Sequence, residues 1–299
     1  MLRPALAGAA CLALSACATM PAARTAVEAP PAPAAVPQAV PKVFQWLGSA
    51  EAAAISRQSY GALSRYVLDR VAARKRGEAI EGAVLADGAS LDAPRWADCG
   101  ARPPAIVLDM DETAILNTGA NYDSAKRGDP PFDAARWDVW ERDGAGLVDP
   151  VPGSVEALAS LRAAGVTPIF ISNRQTRFAE QAVRSLAAAG LGPATPGETM
   201  FLRDAGAGSG KDARRAAVSM RFCVVAMAGD QLGDFSDLFN AKGLDPVARR
   251  ALAAQPAVAA RWGQGWFLMP NPAYGPGDAG TLEQVFPDHR WPGPVGGVR

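Results

Sequence analysis

From residue 105 onward the chain alternates short apolar runs with stretches of helical spacing. The runs lie in residues 105–113 (AIVLDMDET), 166–172, 199–202, 222–229 and 265–270. Continuous apolar runs bounded by polar turn residues read as strands buried on both faces, as in a parallel sheet. Helical patterns after Gly153, Thr176, Lys211, Phe235 and Asp245 supply the crossovers. The rhythm predicts an α/β fold, a doubly wound (Rossmann-like) parallel sheet. Ahead of it, residues 49–76 form a proline-free helical pattern with Tyr60, Leu63, Tyr66 and Val67 on one face, followed by an irregular stretch to Pro104. That segment, residues 43–104, is predicted to pack on the sheet.

The remaining pattern is of a different kind. Residues 1–17 carry Arg3 and then a short apolar run ending in Leu14-Ser15-Ala16-Cys17, too short to span a bilayer and shaped like a secretory signal. Leu-Ser-Ala-Cys resembles the bacterial lipobox, which implies lipidation at Cys17; ordinary cleavage after Ala18 is the alternative. Ala18 after Cys17 resembles an outer-membrane address, so an exported protein anchored in the bacterial envelope is expected. Residues 18–42 hold Pro21, Pro30, Pro31, Pro33, Pro37 and Pro41 among alanines and read as an extended tether.

Chemistry enters at the ends of the apolar runs. In an open α/β sheet the ligand crevice lies at the carboxyl ends of the strands. There the first run delivers Asp109 and Asp111, the second Ser172, Asn173 and Arg174, and the fourth Asp230 and Asp234, while Lys211 follows a glycine-rich loop at a helix start. Singly each is ordinary: Ser172 as a cap, Lys211 as a solvated charge, Asp234 as a helix N-terminus. Parallel strands end on the same side, so together they gather four aspartates, a hydroxyl and a lysine into one crevice. Carboxylates so close need a cation, and Mg²⁺ suits oxygen donors. A cation, a nucleophile in line and an acid are the parts phosphoryl transfer requires.

The ordered motifs Asp109-Met110-Asp111-Glu112-Thr113, Ser172-Asn173-Arg174, Lys211 and Gly229-Asp230-Gln231-Leu232-Gly233-Asp234-Phe235 resemble those of the haloacid dehalogenase superfamily. The acidic fourth motif and Met269-Pro270-Asn271-Pro272-Ala273-Tyr274-Gly275 resemble its class C acid phosphatases, the bacterial lipoprotein 5′-nucleotidases. This resemblance, over residues 46–274, implies a Mg²⁺-dependent phosphatase with Asp109 as nucleophile and Asp111 as acid and base. It also implies metal ligation by the Asp109 carboxylate, the Asp111 backbone carbonyl and Asp230 with Asp234 in support, phosphoryl contacts from Ser172 and Lys211, and substrate contacts from Asn173, Arg174, Tyr274 and Tyr122. Neighbouring carboxylates predict a raised pKa for Asp111, letting it carry a proton. The substrate would be a small phosphomonoester, a nucleoside 5′-monophosphate in particular, with Tyr274 a platform for its ring.

Two departures bear on that ring: Leu116 stands where many members have aspartate, and Ala120 where they have an aromatic, with Tyr122 displaced. The insertion at residues 117–152 is too long for a plain loop and predicts a cap; Trp137 and Trp140, three apart on a helical pattern, read as packing residues. The core would then span residues 105–299.

Other classes fit less well. The chain's one histidine, His289, lies in a Pro/Gly-rich tail, which disfavours histidine-based hydrolases and His-ligated zinc. No P-loop is present. Thirty basic and thirty acidic residues leave no nucleic-acid footprint. A metal-dependent glycosyltransferase would not need Lys211 or Asp234 in order, and a silent binding lipoprotein would not need both motif-one aspartates. A homodimer stays open. Of four cysteines, Cys11 and Cys17 lie in the export segment. Cys99 and Cys223 precede or begin strands that the superfamily pairs, so a bridge is one reading and a buried, unbridged Cys223 the commoner one.

Overall fold

The computed structural model describes residues 39–286 and Trp291. The signal segment with Cys17, almost all of the tether, and His289 lie outside the described residues. Helix α1 (Lys42–Leu47) leads into α2 (Ala50–Lys75), whose N-cap Ser49 accepts from the Ala52 amide as a capping hydroxyl should. Tyr60, Leu63, Val67 and Val71 are buried on one side of α2, at the predicted helical spacing, with Tyr66 beside them. The stretch expected to be irregular instead holds a two-stranded antiparallel sheet, β1 (Glu81–Leu85) and β2 (Trp96–Asp98). Its strands are too short and too polar at their ends to announce themselves by pattern.

The core sheet has five parallel strands: β3 (Pro104–Leu108), β6 (Thr167–Gln175), β7 (Met200–Arg203), β8 (Cys223–Gly229) and β9 (Trp266–Leu268). Their order, β7-β6-β3-β8-β9, puts the first core strand in the middle. The chain therefore winds outward twice from β3, and the crevice opens where the two directions part. Apolar side chains on both faces bury the sheet between two clusters. One contains Leu63, Val67, Leu108, Leu158 and Phe170, the other Val107, Val218, Val224, Phe235 and Trp266.

Crossovers are α5 (Ser154–Ala163), α6 (Ala179–Ala188), α7 (Asp212–Arg221), α8 (Pro246–Ala254) and α9 (Pro256–Ala259), with α10 (Leu282–Val285) after the sheet. The helix expected after Phe235 is a single 3-10 turn, Asp237–Asn240. Only six residues separate Ser236 from Gly243, and the Asp237 side chain is taken up elsewhere. The cap insertion contains α3 (Thr118–Lys126) and α4 (Ala134–Asp143), closed at its base by the small antiparallel pair β4 (Ile115–Leu116) and β5 (Asp149–Pro150).

Cys99 and Cys223 form a disulfide, with Cα atoms 4.5 Å apart. The unbridged reading of Cys223 is thereby corrected: register pairs Pro104 with Cys223, which brings the chain just before β3 against the start of β8.

Candidate active site

Strand β3 ends at Leu108, and the chain then turns sharply. Three successive amides, of Thr113, Ala114 and Ile115, converge on the Met110 carbonyl. The turn forces Glu112 into the left-handed region, φ 53°, a conformation that costs a non-glycine residue about 1–3 kcal/mol. Its effect is to send Asp109 and Asp111 to different sides. Asp109 faces β8 and Asp111 faces β6.

On the β8 side stand Asp109, Asp230 and Asp234, all buried, with carboxylate oxygens within 4.8 Å of one another. Lys211 Nζ donates to Asp109 and, at 2.6 Å, to Asp234. Burial pushes the Asp109 carboxyl well above its ordinary range; Lys211 opposes this, while Asp234 and Asp230 reinforce it. Asp230 is raised to about 7, by burial first and then by Asp234. Burial works against the charge on Lys211, but Asp109 and Asp234 outweigh it and hold the ammonium more firmly protonated than usual. One lysine faces three clustered carboxyl groups, an oxygen donor set that could hold a metal ion.

Several unheralded residues build this side. Asp237 accepts from the backbone N–H groups of Lys211 and Asp212 at 2.7 and 2.9 Å, capping α7 and fixing the root of the lysine. Asp230 accepts from Thr113 Oγ1 at 2.9 Å and Asn271 Nδ2 at 2.8 Å. Gly229 must be glycine: a Cβ there would lie 2.2 Å from the Asp234 side chain.

On the β6 side Asp111 meets Arg174. The guanidinium donates to Asp111 Oδ1 from Nε at 2.9 Å and from Nη2 at 2.8 Å. Ser172 Oγ donates to Asp111 Oδ2 at 3.2 Å and accepts from the Arg174 amide. Burial alone would raise the Asp111 carboxyl, but Arg174, with help from Asn117, brings it below its ordinary value. The raised pKa expected from neighbouring carboxylates is thus corrected: a buried arginine faces Asp111 and, with Asn117, outweighs burial. The Asp111 side chain stands apart from the three-carboxylate group.

The expected substrate contacts take different places in the structure. Arg174 is 3% exposed, and its guanidinium is engaged by Asp111, Asn117 and Ser185. Asn173 donates to the Ser209 carbonyl and accepts from Arg214, joining the end of β6 to the loop before α7. Tyr122 stands 67% exposed on α3, outside the buried cluster. Tyr274 does reach the site: it is 40% exposed, yet its hydroxyl donates to Glu112 Oε2 at 2.6 Å and is held protonated by burial and by that carboxylate. Its ring is anchored at the hydroxyl end while the residue stays partly exposed.

The sequence model of HAD superfamily subfamily IIIB, the acid phosphatases, matches residues 51–277. The chain belongs to this family. It is a phosphomonoester hydrolase. A crystal structure of the class C acid phosphatase from Bacillus anthracis with tungstate bound is 26% identical, aligns with 79% of this chain and 85% of that one, and gives a TM-score of 0.61. A second structure of the Bacillus anthracis enzyme is 27% identical over the same shares, with a TM-score of 0.60. Curated protein sequences show no match.

Phosphatases of this superfamily use a divalent metal, and the donor set fits one. Asp109, Asp230 and Asp234 offer oxygen atoms only, close together and short of positive charge. Two residues to which the sequence assigned no role, Glu112 and Asn117, also line the site. Glu112 is 1% exposed and accepts from the Asn117 amide, Asn117 Nδ2, Asn121 Nδ2 and Tyr274. Its place inside the first motif was the available signal, since an acidic residue in an otherwise buried turn needs partners.

Proposed function

We propose that this acid phosphatase is Mg²⁺-dependent and hydrolyses small phosphomonoesters, nucleoside 5′-monophosphates in particular, through an aspartyl phosphate on Asp109. The observation that carries the reading is the buried group of Asp109, Lys211, Asp230 and Asp234 at the carboxyl end of the sheet, with Asp111 beside it. Asp109 attacks phosphorus, the bond to the leaving oxygen breaks, and Asp111 supplies that oxygen with a proton. Water then attacks the phosphoryl group, Asp111 takes its proton, and phosphate leaves with Asp109 restored.

Asp111 rests as a carboxylate, ready for the second half. For the first, a monoester below its second pKa of about 6 brings the proton with it, which favours acid conditions. Ser172 and Lys211 hold phosphoryl oxygens once substrate displaces their present partners. Asp109 and Asp230, with Asp234 in support and the Asp111 carbonyl as a further donor, would hold Mg²⁺, which when bound would neutralise charge on the phosphoryl oxygens. The similar Bacillus anthracis class C acid phosphatase has tungstate bound, which supports an oxyanion as the kind of ligand this fold takes.

Export, lipidation at Cys17 and outer-membrane anchoring complete the reading, supported by the Leu14-Ser15-Ala16-Cys17-Ala18 sequence. Mass spectrometry of the mature N-terminus checks it, an unmodified Thr19 start counting against the anchor. Phosphate release from p-nitrophenyl phosphate should vanish with EDTA and return with Mg²⁺; activity indifferent to chelation would refute the metal requirement. Replacing Tyr274 by alanine should raise KM for nucleotides by the equivalent of about 1–3 kcal/mol of stacking and leave a ringless phosphoester nearly unchanged. Equal damage to both substrates would reduce Tyr274 to a packing residue.

A further inference from the structure

Asn117 stands at the N-cap position of α3 but does not cap that helix with its side chain. The amide is turned inward, 1% exposed, and all its hydrogen-bonding capacity is used. Nδ2 donates to Asp111 Oδ1 at 3.0 Å and to Glu112 Oε2 at 2.9 Å. Oδ1 accepts from Arg174 Nη2 at 2.8 Å and from Trp140 Nε1 at 2.9 Å. Asn117 is therefore a point where Asp111, its arginine partner and cap helix α4 meet.

Trp140 is firmly placed. Its ring lies against Gly144, where a Cβ would come within 2.2 Å of it. The same helix grips the end of β6 from the other direction: Glu141 Oε2 accepts from the Gln175 amide at 2.8 Å, and Asp138 accepts from Gln175 Nε2 and Arg177. Arg174 is the residue before Gln175, so α4 holds both neighbours of the Asp111–Arg174 pair. Arg174 reaches both Asp111 oxygens, Oδ1 from Nε and Nη2 and Oδ2 from Nε at 3.3 Å, and Ser172 Oγ also donates to Oδ2. Asn117 holds both partners at once, donating to Asp111 Oδ1 and accepting from Arg174 Nη2.

We propose that Asn117 is a positioning residue for Asp111, transmitting the seat of cap helix α4, through Trp140, to the orientation of the proton-transferring carboxyl. The inference rests on Asp111 acting as the acid in the proposed reaction. A positioned general acid contributes roughly 10²–10⁴-fold, and only where the leaving oxygen needs its proton. Loss of Asn117 therefore damages alkyl esters, whose alkoxide cannot leave unprotonated, and spares p-nitrophenyl phosphate, whose phenolate can.

The test compares kcat/KM of the full-length, Mg²⁺-loaded enzyme on p-nitrophenyl phosphate and on glycerol 2-phosphate, for wild type, Asn117→Leu and Trp140→Phe. Circular dichroism and thermal melts establish folding. Asn117→Leu should lose about 10²-fold on the alkyl ester and a far smaller factor on the aryl ester. Trp140→Phe, which removes one N–H and keeps most of the ring, should show the same selectivity at smaller size. Equal losses on the two esters in a folded variant, or no loss on either, would overturn the proposal. If Asn117→Leu does not fold, Trp140→Phe decides alone by the same criterion. Wild type inactive on both esters would instead sink the phosphatase mechanism on which the inference rests.

Discussion

The two sides of the crevice carry their charge differently. Toward β8, one lysine pairs with two of three buried carboxyl groups; toward β6, Asp111 meets one buried guanidinium and the neutral donors Ser172 and Asn117. Asp109 and Asp111 are two residues apart, yet burial and like charges raise the first while Arg174 lowers the second. The lesson is that chain proximity does not make an electrostatic environment. On the proposed reading, the acid-rich side receives a cation and the phosphoryl group, whereas the side with the paired Asp111 holds a proton carrier in one pose.

The strongest way to break this comparison is to remove each aspartate's charge in turn. Asp109→Asn keeps the shape and loses the nucleophile, so turnover should fall by more than roughly 10³-fold on any ester, including p-nitrophenyl phosphate. Asp111→Asn should lose about 10²–10⁴-fold, most severely on esters with poor leaving groups. Steady-state kinetics on folded variants, checked by circular dichroism, reads both. Substantial activity in a folded Asp109→Asn enzyme would mean that Asp109 is not the nucleophile and that the two sides do not divide their labour as described.

A second contrast is mechanical. The β8 side is stapled to β3 by the Cys99–Cys223 disulfide, which spans 124 residues, and no such bond ties β6. Closing so long a loop restricts the unfolded chain, and Cys99→Ser paired with Cys223→Ser should cost about 3–5 kcal/mol in urea unfolding. An unchanged midpoint would show that the sheet needs no staple.

The smallest expected effect sharpens the β6 side. Burial raises the carboxyl of Glu141, on the cap helix, above its ordinary value of 4.5. The folded protein thus binds this proton more tightly than the unfolded chain does. Stability from this group is complete below about 4.5 and is lost as pH rises through the raised value. Glu141→Gln keeps an acceptor for the Gln175 amide and cannot ionise, so its stability relative to wild type should climb with pH across that window. Urea midpoints measured at several pH values give the slope, and parallel curves would place the Glu141 carboxyl at an unperturbed value.

What could be read from the chain itself was whatever is encoded within a few residues. Apolar runs marked β3, β6, β7, β8 and β9; the residues at their carboxyl ends marked Asp109, Asp111, Ser172, Asp230 and Asp234; a helix start marked Lys211. A buried strand must be apolar throughout, and whatever follows it must face the crevice, so both signals are local. The 3-10 turn at Asp237–Asn240 and the β1–β2 pair escaped because short elements carry too few residues for a period to show. Tertiary structure alone decided who partners whom. Arg174 reaches Asp111 across 63 residues, Asp237 caps α7 from 26 residues beyond Lys211, and Asn117 finds Trp140, Glu112 and Arg174 together. A polar side chain's pattern along the chain says only that it needs partners; which partners it gets, and so whether a carboxyl is raised or lowered, is settled by the strand order and the turn at Glu112 that aim it.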